Sequence, residues 1–191
     1  GRLAFELAQH YDDVTALDFT ARMIRVPVQL QEQGFMRYVM KDEGELQFFR
    51  DVALSNFGLE SGKNNILFMQ ADAMNLKPVY SGYDAIVVPN LLEELHTPKL
   101  FLQTIHERLN KNGLLIIAST YDWDESRTKR ENWLGGFKQD GEPVTSLDGI
   151  KAVLENEFVM HGEPIELTLY QKKSSRITEV KLSQVTVWRK R

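Results

Sequence analysis

Apolar and polar positions along this chain switch repeatedly between the period of a helix and that of a strand. Phe5 and Ala8 share a face at i, i+3, and Leu3 and Leu7 at i, i+4, which predicts a short helix over about Arg2 to His10. Tyr11-Asp12-Asp13 turns the chain into Val14–Asp18, which reads as a short buried strand ending in a carboxylate. Thr20 suits the N-cap of a helix to about Gln33, with Met23, Ile24, Val28 and Leu30 as apolar positions and Gly34 as its stop. Pro27 inside it predicts a kink or an early break. Phe35 to Asp42 fits a short strand or a loop. From Gly44, the spacing of Leu46, Phe48, Phe49, Val52, Ala53 and Phe57 predicts a second helix ending near Gly58. That exceeds a minimal crossover, so the insert over 34–58 is expected to cover part of a site.

Asn64 to Gln70 is the next buried strand. Tyr83 to Asn90 is a third, nearly all apolar, as a parallel strand covered on both faces should be. Pro98 opens a helix with Leu100, Phe101, Ile105 and Leu109 at helical spacing and Asn112-Gly113 as its stop, and Leu114–Ala118 follows as the fourth strand. Asp122 to Thr145 shows little periodicity and reads as a long functional loop. Ser146 is placed to cap a helix to about Asn156. Pro164–Lys172 and Ile177–Arg189 then alternate as an antiparallel pair joined tightly through Lys173-Ser174-Ser175-Arg176.

Strands alternating with helices and closing on a hairpin give an α/β, Rossmann-like sheet, mostly parallel with a C-terminal antiparallel hairpin. This is the element order of S-adenosylmethionine-dependent methyltransferases. Val14–Asp18 takes the place of the second strand in that order. The first strand, and the start of a glycine-rich loop, are therefore expected to be missing, leaving one domain over 1–191 truncated within the cofactor loop.

Composition narrows the function. With 191 residues, 42% hydrophobic and 26% charged, the chain can bury a sizeable core. A formal net charge of -4 makes it a poor general binder of nucleic acid. The absence of cysteine excludes disulfides, thiolate nucleophiles and zinc ribbons. His10, His96, His106 and His161 lack ligand spacing, so no metal site is expected. No apolar run approaches the roughly 20 residues of a membrane span. Glu6, His10, Asp12 and Asp13 break any signal-peptide core, which points to a cytoplasmic protein.

Asp18, Asp72 and Asn90 sit at successive strand ends. In doubly wound proteins a ligand lies beyond the carboxyl ends of the strands, where an acidic side chain accepts hydrogen bonds from both ribose hydroxyls. Asp18, with Phe19 beside it, is the candidate for the ribose. Asp72, with the backbone of Ala73, is the candidate for an adenine edge, and Asn90 for the amino acid part of a cofactor. Gly1, at the start of a helix, allows close approach of a ligand to backbone. Each of these residues also has a plain role, since Asp at a strand end commonly forms turns and caps.

Gly1-Arg2 through Phe5-Glu6-Leu7-Ala8 and Leu17-Asp18-Phe19-Thr20 resemble the end of the glycine-rich loop and the acidic strand end of a class I methyltransferase. More specific is the run Arg130-Glu131-Asn132-Trp133-Leu134-Gly135-Gly136-Phe137-Lys138, followed by Asp140-Gly141-Glu142-Pro143-Val144 and Leu147-Asp148-Gly149. This run resembles the methyltransferase domain of ovothiol biosynthesis, and the similarity extends to Val185-Thr186-Val187-Trp188-Arg189. The resemblance implies S-adenosyl-L-methionine as cofactor and N-methylation of the imidazole ring of 4-mercaptohistidine (5-thiohistidine). It also implies a parent protein in which the domain often follows an iron-dependent 5-histidylcysteine sulfoxide synthase.

The long loop then acquires a purpose, because it follows the fourth strand and can fold over the crevice. Tyr121, Trp123 and Trp133 offer aromatic walls, and Asn132 offers a donor and an acceptor to an imidazole or amino acid group. Gly135-Gly136 permits backbone shapes that other residues resist. Leu134 and Phe137 are expected to pin the loop to the core. Arg127, Arg130 and Lys138 form a solvated basic face or pair with a substrate carboxylate. A general base, if one is used, comes from Glu131, Asp122 or Tyr121. His96, Glu93 and Glu94 are expected at the surface or at helix entries. Three other functions stay open: a methyltransferase for another small molecule, a nucleotide-binding scaffold without catalysis, and a dehydrogenase. The C-terminal antiparallel pair and the lack of a second substrate domain speak against the last.

Overall fold

The structure, a computed structural model, describes every residue from Gly1 to Arg191. The chain forms two compact units, one made of Gly1–Leu76 with Lys172–Glu179 and the other of Lys77–Gln171 with Val180–Arg191.

In the first unit, helix α1 (Arg2–Leu7) leads into strand β1 (Val14–Asp18), helix α2 (Ala21–Gln33), strands β2 (Phe35–Lys41) and β3 (Gln47–Ala53), and strand β4 (Ile66–Gln70). β1 and β4 pair in parallel, with Val14 beside Ile66 and Asp18 beside Gln70. The other edge of β1 carries no strand. Ala4, Phe5, Ala8, Val14, Leu54, Leu59, Ile66 and Phe68 form the core, with the Phe5 and Phe68 rings tilted at 53° and 5.6 Å apart. The amide of Gln31 ties α2 to the start of β4 by donating to the carbonyls of Lys63 at 2.6 Å and Ile66 at 2.8 Å.

Two expectations change here. α2 runs through Pro27 to Gln33 and stops at a left-handed Gly34. A proline inside a helix costs about 3 kcal/mol by removing one hydrogen bond and crowding the preceding turn. Pro27 is buried, however, and lies so close to Gly1 that a Cβ there would sit 2.4 Å from the Pro27 Cβ. Packing therefore offsets the local cost, and Gly1 is required by α2 as much as by any ligand. The second change is the predicted helix after Gly44, which is instead strand β3, antiparallel to β2, with Arg37 opposite Asp51 and Val39 opposite Phe49. Leu46, Phe48, Arg50 and Val52 fit a period of two as well as Phe48 and Val52 fit i, i+4, and β-branched and aromatic residues favour the pleated surface. Gly44 supplies the positive φ of the hairpin turn, and the Arg37–Asp51 fork clamps the register with bonds of 2.7 and 3.0 Å. Ser175 docks on the tip of this hairpin through a backbone bond of 3.0 Å to the Lys41 carbonyl and a hydroxyl bond to the Asp42 carboxylate.

The second unit holds strand β5 (Tyr83–Pro89), helix α3 (Pro98–Thr104), strand β6 (Leu109–Ser119), the short strands β7 (Phe137–Gln139) and β8 (Glu142–Val144), helix α4 (Ser146–Leu154), strand β9 (Phe158–Met160), and, apart from the ends nearest their connection, the long strands β10 (Ile165–Lys172) and β11 (Thr178–Lys190). The sheet order is β10-β11-β6-β5, with β9 beside β11 and the outer edge of β5 open. β5 runs parallel to β6, and β11 antiparallel to it, so the mixed sheet with a C-terminal hairpin is as expected. α3 is shorter than predicted: a 3-10 turn over Ile105–Arg108 takes the chain directly into β6, and Asn112, read as a helix stop, is a left-handed residue within that strand. The cap of α4 is Thr145 rather than Ser146, its hydroxyl oxygen accepting from the Asp148 amide at 3.1 Å. The three-residue β9 lacks a period long enough to be read in sequence.

Candidate functional site

In the first unit the strand ends gather Gly1, Asp18, Phe19, Asp72 and Ala73. The Asp18 carbonyl accepts from the Ala71 amide at 3.0 Å, and the Gln70 side chain donates to the Phe19 carbonyl at 2.9 Å. The segments that leave β1 and β4 are thereby held side by side, as neighbouring parallel strands require. Each carboxylate has one oxygen in a local turn: Asp18 accepts from the Thr20 amide at 2.7 Å, and Asp72 from the Met74 amide at 2.9 Å. The turn-forming role is therefore real for both residues. It occupies Oδ1 in each case and leaves a second carboxylate oxygen for a ligand. Phe19 is exposed at the rim. An open cleft of about 300 Å³ lined by Gln9, His10, Tyr11, Ser61 and Asn65 lies near the opposite, amino ends of β1 and β4.

In the second unit, Asn90 follows the end of β5 and Tyr121 the end of β6. Both have left-handed backbone, with φ of 47° and 55°. Such angles are rare for residues other than glycine and cluster at functional positions. Asn90 is held by its amide, which donates to the Ala118 carbonyl at 2.6 Å, and by its Oδ1, which accepts from the buried Ser183 hydroxyl at 2.8 Å. The Tyr121 amide donates to the Ser119 oxygen at 3.1 Å and its phenol to Gln184 Oε1 at 3.1 Å. Burial pushes the Tyr121 pKa up to about 12, with Glu166 and Glu93 adding to the shift. The phenol stays protonated at neutral pH, which argues against Tyr121 as a general base and for a neutral hydrogen-bonding role.

The loop after Tyr121 is tightly tied. The Trp123 and Trp133 rings stack at 6.4 Å and 22°. Their indole N–H groups are committed to the Ser146 hydroxyl at 2.8 Å and the Thr128 carbonyl at 2.7 Å. The Asn132 amide donates to the His96 carbonyl at 2.9 Å, and His96 Nδ1 lies 2.9 Å from the Arg127 carbonyl. Arg127 bridges Glu94 at 2.6 Å and the Asp122 carbonyl at 2.7 Å. Arg130 stands over the Trp133 and Phe137 rings. Glu131 is exposed on a 3-10 turn over Arg130–Asn132. Two glycines explain part of the run singled out in the sequence: a Cβ on Gly135 would lie 2.3 Å from the Thr145 carbonyl, and one on Gly149 only 1.6 Å from the Leu134 oxygen. Leu134 is buried, as expected of a pin.

Glu93 departs most from its sequence expectation. It is 3% exposed, and its carboxylate accepts from the Ser119 hydroxyl at 2.8 Å and from the amide and hydroxyl of Thr120 at 3.1 and 2.8 Å. The signal available in sequence was its place among Leu91, Leu92 and Leu95. Glu166, Ser183 and Gln184 carried no such signal.

No family profile matches this chain, and no curated protein does. Solved structures do. One, described under the conversion of a disulfide bond into a thioacetal group during echinomycin biosynthesis, superposes with a TM-score of 0.60 at 14% identity, over 100% of this chain and 71% of its own. The N-methyltransferase NodS of Bradyrhizobium japonicum in complex with S-adenosyl-L-homocysteine gives 0.58 at 14% identity, over 100% and 72%. An S-adenosylmethionine-dependent methyltransferase of Methanosarcina mazei gives 0.58 at 14% identity, over 97% and 85%. The α/β fold with its mixed sheet matches that of these solved S-adenosylmethionine-dependent methyltransferases. In open α/β sheets ligands are met at the carboxyl ends of parallel strands. Asp18 and Asp72 hold that position in the first unit, and Asn90 and Tyr121 in the second. No helix is long and apolar enough to cross a membrane.

Proposed function

We propose that this protein is an S-adenosylmethionine-dependent N-methyltransferase acting on the imidazole ring of 4-mercaptohistidine. The observation that carries the cofactor is the pair of strand-end carboxylates, each with one oxygen in a turn and one to spare. The free oxygen of Asp18 suits the ribose hydroxyls, with Phe19 beside the base. Asp72 and the Ala73 backbone suit the adenine and the Gly1 backbone at the start of α1 suits the approach of the ligand; within the second unit, Asn90 is the candidate for the amino acid part. Bound there, the cofactor supplies an electrophilic sulfonium methyl. The neighbouring methyltransferases of the same fold support this reading.

The substrate assignment rests on the run from Arg130 to Lys138 and on the aromatic and amide groups of the loop. Alignment of an imidazole nitrogen and exclusion of water do most of the work here, because a neutral ring nitrogen already carries a lone pair. Glu131 and Asp122 are the exposed carboxylates available to take a proton afterwards. The same reading fuses the parent protein to an iron-dependent sulfoxide synthase.

A second reading, a nucleotide-binding domain without catalysis, is favoured by the commitment of Asn132 and both indoles to internal bonds. Calorimetry with S-adenosylmethionine, paired with a mass-spectrometric assay for methyl transfer to 4-mercaptohistidine, separates the two. Binding with transfer supports the first, binding without transfer the second, and no binding sinks both.

A further inference from the structure

We propose that Tyr121, Gln184 and Glu166 form a directed hydrogen-bond chain that selects one tautomer of an imidazole acceptor by accepting its ring N–H at the phenol oxygen. The identity of the acceptor rests on the proposed function; the chain itself rests on geometry within the second unit.

The Tyr121 phenol donates to Gln184 Oε1 at 3.1 Å, and Gln184 Nε2 donates to Glu166 Oε1 at 3.1 Å. The direction is forced from the far end. An ionised carboxylate only accepts, so Gln184 turns its NH2 towards Glu166 and its carbonyl towards Tyr121. The phenol hydrogen is therefore already spent. What Tyr121 offers a ligand is the lone pairs of its oxygen. An imidazole has one N–H and one lone-pair nitrogen, and only the N–H matches that offer. The other nitrogen is left with its lone pair free.

The backbone fixes where this happens. Tyr121 has left-handed φ directly after β6, held by its amide on the Ser119 oxygen, which itself donates to Glu93. The charged groups facing the phenol are Glu166 from β10 and Glu93 from the turn after β5. Both are acidic and keep the phenol in its neutral form. A row of donors pointing the same way and ending on a negative charge also favours positive charge on the bound ring. Glu166 and Gln184 are thus positioning residues acting through Tyr121.

The test uses the full 191-residue chain and 15N-labelled 4-methylimidazole, with no cofactor, followed by NMR. The expected result is one bound tautomer in the unaltered protein. Tyr121→Phe and Glu166→Gln should each weaken binding roughly tenfold, the loss of one charge-assisted or neutral hydrogen bond, and return the ring to its solution mixture. Glu166→Asp should retain the selection. Thermal melts confirm that the variants fold; Glu166 is exposed, so that variant keeps the core intact. Absence of binding, a mixed bound tautomer, or variants that behave as the parent would overturn the proposal. Methyl transfer to 4-mercaptohistidine without tautomer selection would overturn this chain alone, and selection without transfer would overturn only the methyltransferase reading.

Discussion

The Ser119 hydroxyl, at the end of β6, donates to the Glu93 carboxylate at 2.8 Å, and both side chains are buried. The same carboxylate takes the amide and hydroxyl of Thr120, so one charge organises the strand end from which Tyr121 emerges. Buried carboxylates are tolerated where donors surround them, and removing the acceptor strands all of those donors. Glu93→Ala is therefore expected to lower unfolding stability by about 2–4 kcal/mol, as several buried donors lose their partner together. Glu93→Gln should cost less, because its amide oxygen still serves some of the donors. Urea titrations of the two variants give the comparison, and equal stability for Ala and the parent would remove Glu93 from this role.

Gly149 sits against the Leu134 carbonyl with no space for a side chain, the oxygen lying 1.6 Å from where a Cβ would be. Backbone must move to admit a methyl group. Gly149→Ala should destabilise by about 1–3 kcal/mol or more through overpacking. Gly141 is the control: it has φ of 89° but nothing within 4 Å, so Gly141→Ala carries only local backbone strain of about 1–2 kcal/mol. Melting temperatures should fall further for Gly149→Ala. The reverse order would mean that the loop yields more easily than its packing indicates.

Asp18 has two roles that a pair of substitutions separates. Oδ1 holds the Thr20 amide, and the other oxygen is the proposed ribose contact. Asp18→Asn can keep the turn bond while weakening acceptance of ribose hydroxyls. Asp18→Ala loses both. Calorimetry should show cofactor affinity falling about tenfold or more for either variant, since a hydrogen bond to a charged group contributes about 1.5–3 kcal/mol. Melting should fall mainly for Asp18→Ala. Unchanged affinity in both would take Asp18 out of the cofactor site.

Much of the fold was legible because parallel strands advertise themselves as apolar runs, although β4, expected to be buried, leaves Leu67 and Met69 exposed. Val14–Asp18, the core of β4 and the length of β5 all appear at their predicted places. The failures were local and physical. β3 carried both a helical and a strand period, and cross-strand partners such as Arg37 and Asp51, 14 residues apart, decided it. α2 survived Pro27 because burial against Gly1 is a tertiary fact. Asp18, Asp72 and Asn90 lie at or just after strand ends, which topology makes legible from the sequence. In the long loop, residue type suggested ligands, but Trp123, Trp133 and Asn132 spend their polar atoms on the protein itself. Gln184 and Glu166 were not readable at all, because their meaning comes from β10 and β11 bringing them to a distant residue; for Gln184 and Tyr121 the separation is 63 positions.

The Tyr121 phenol provides a pH signature of this arrangement. Its pKa is pushed up to about 12 from a usual value of 10.0, first by burial and then by the charges of Glu166 and Glu93. The folded state thus holds the proton more tightly than the unfolded state does. Stability from this group is fully present below pH 10 and is lost as pH rises towards 12. Partial exposure of the ring softens the effect without changing its sign. Urea midpoints measured from pH 8 upward should therefore fall above about pH 10, and Tyr121→Phe should flatten that part of the curve. Glu166→Gln should shift the phenolate titration, followed by ultraviolet absorbance, to lower pH. A parallel fall in Tyr121→Phe would assign the alkaline loss to other groups, and an unmoved titration in Glu166→Gln would show that Glu166 does not reach the phenol.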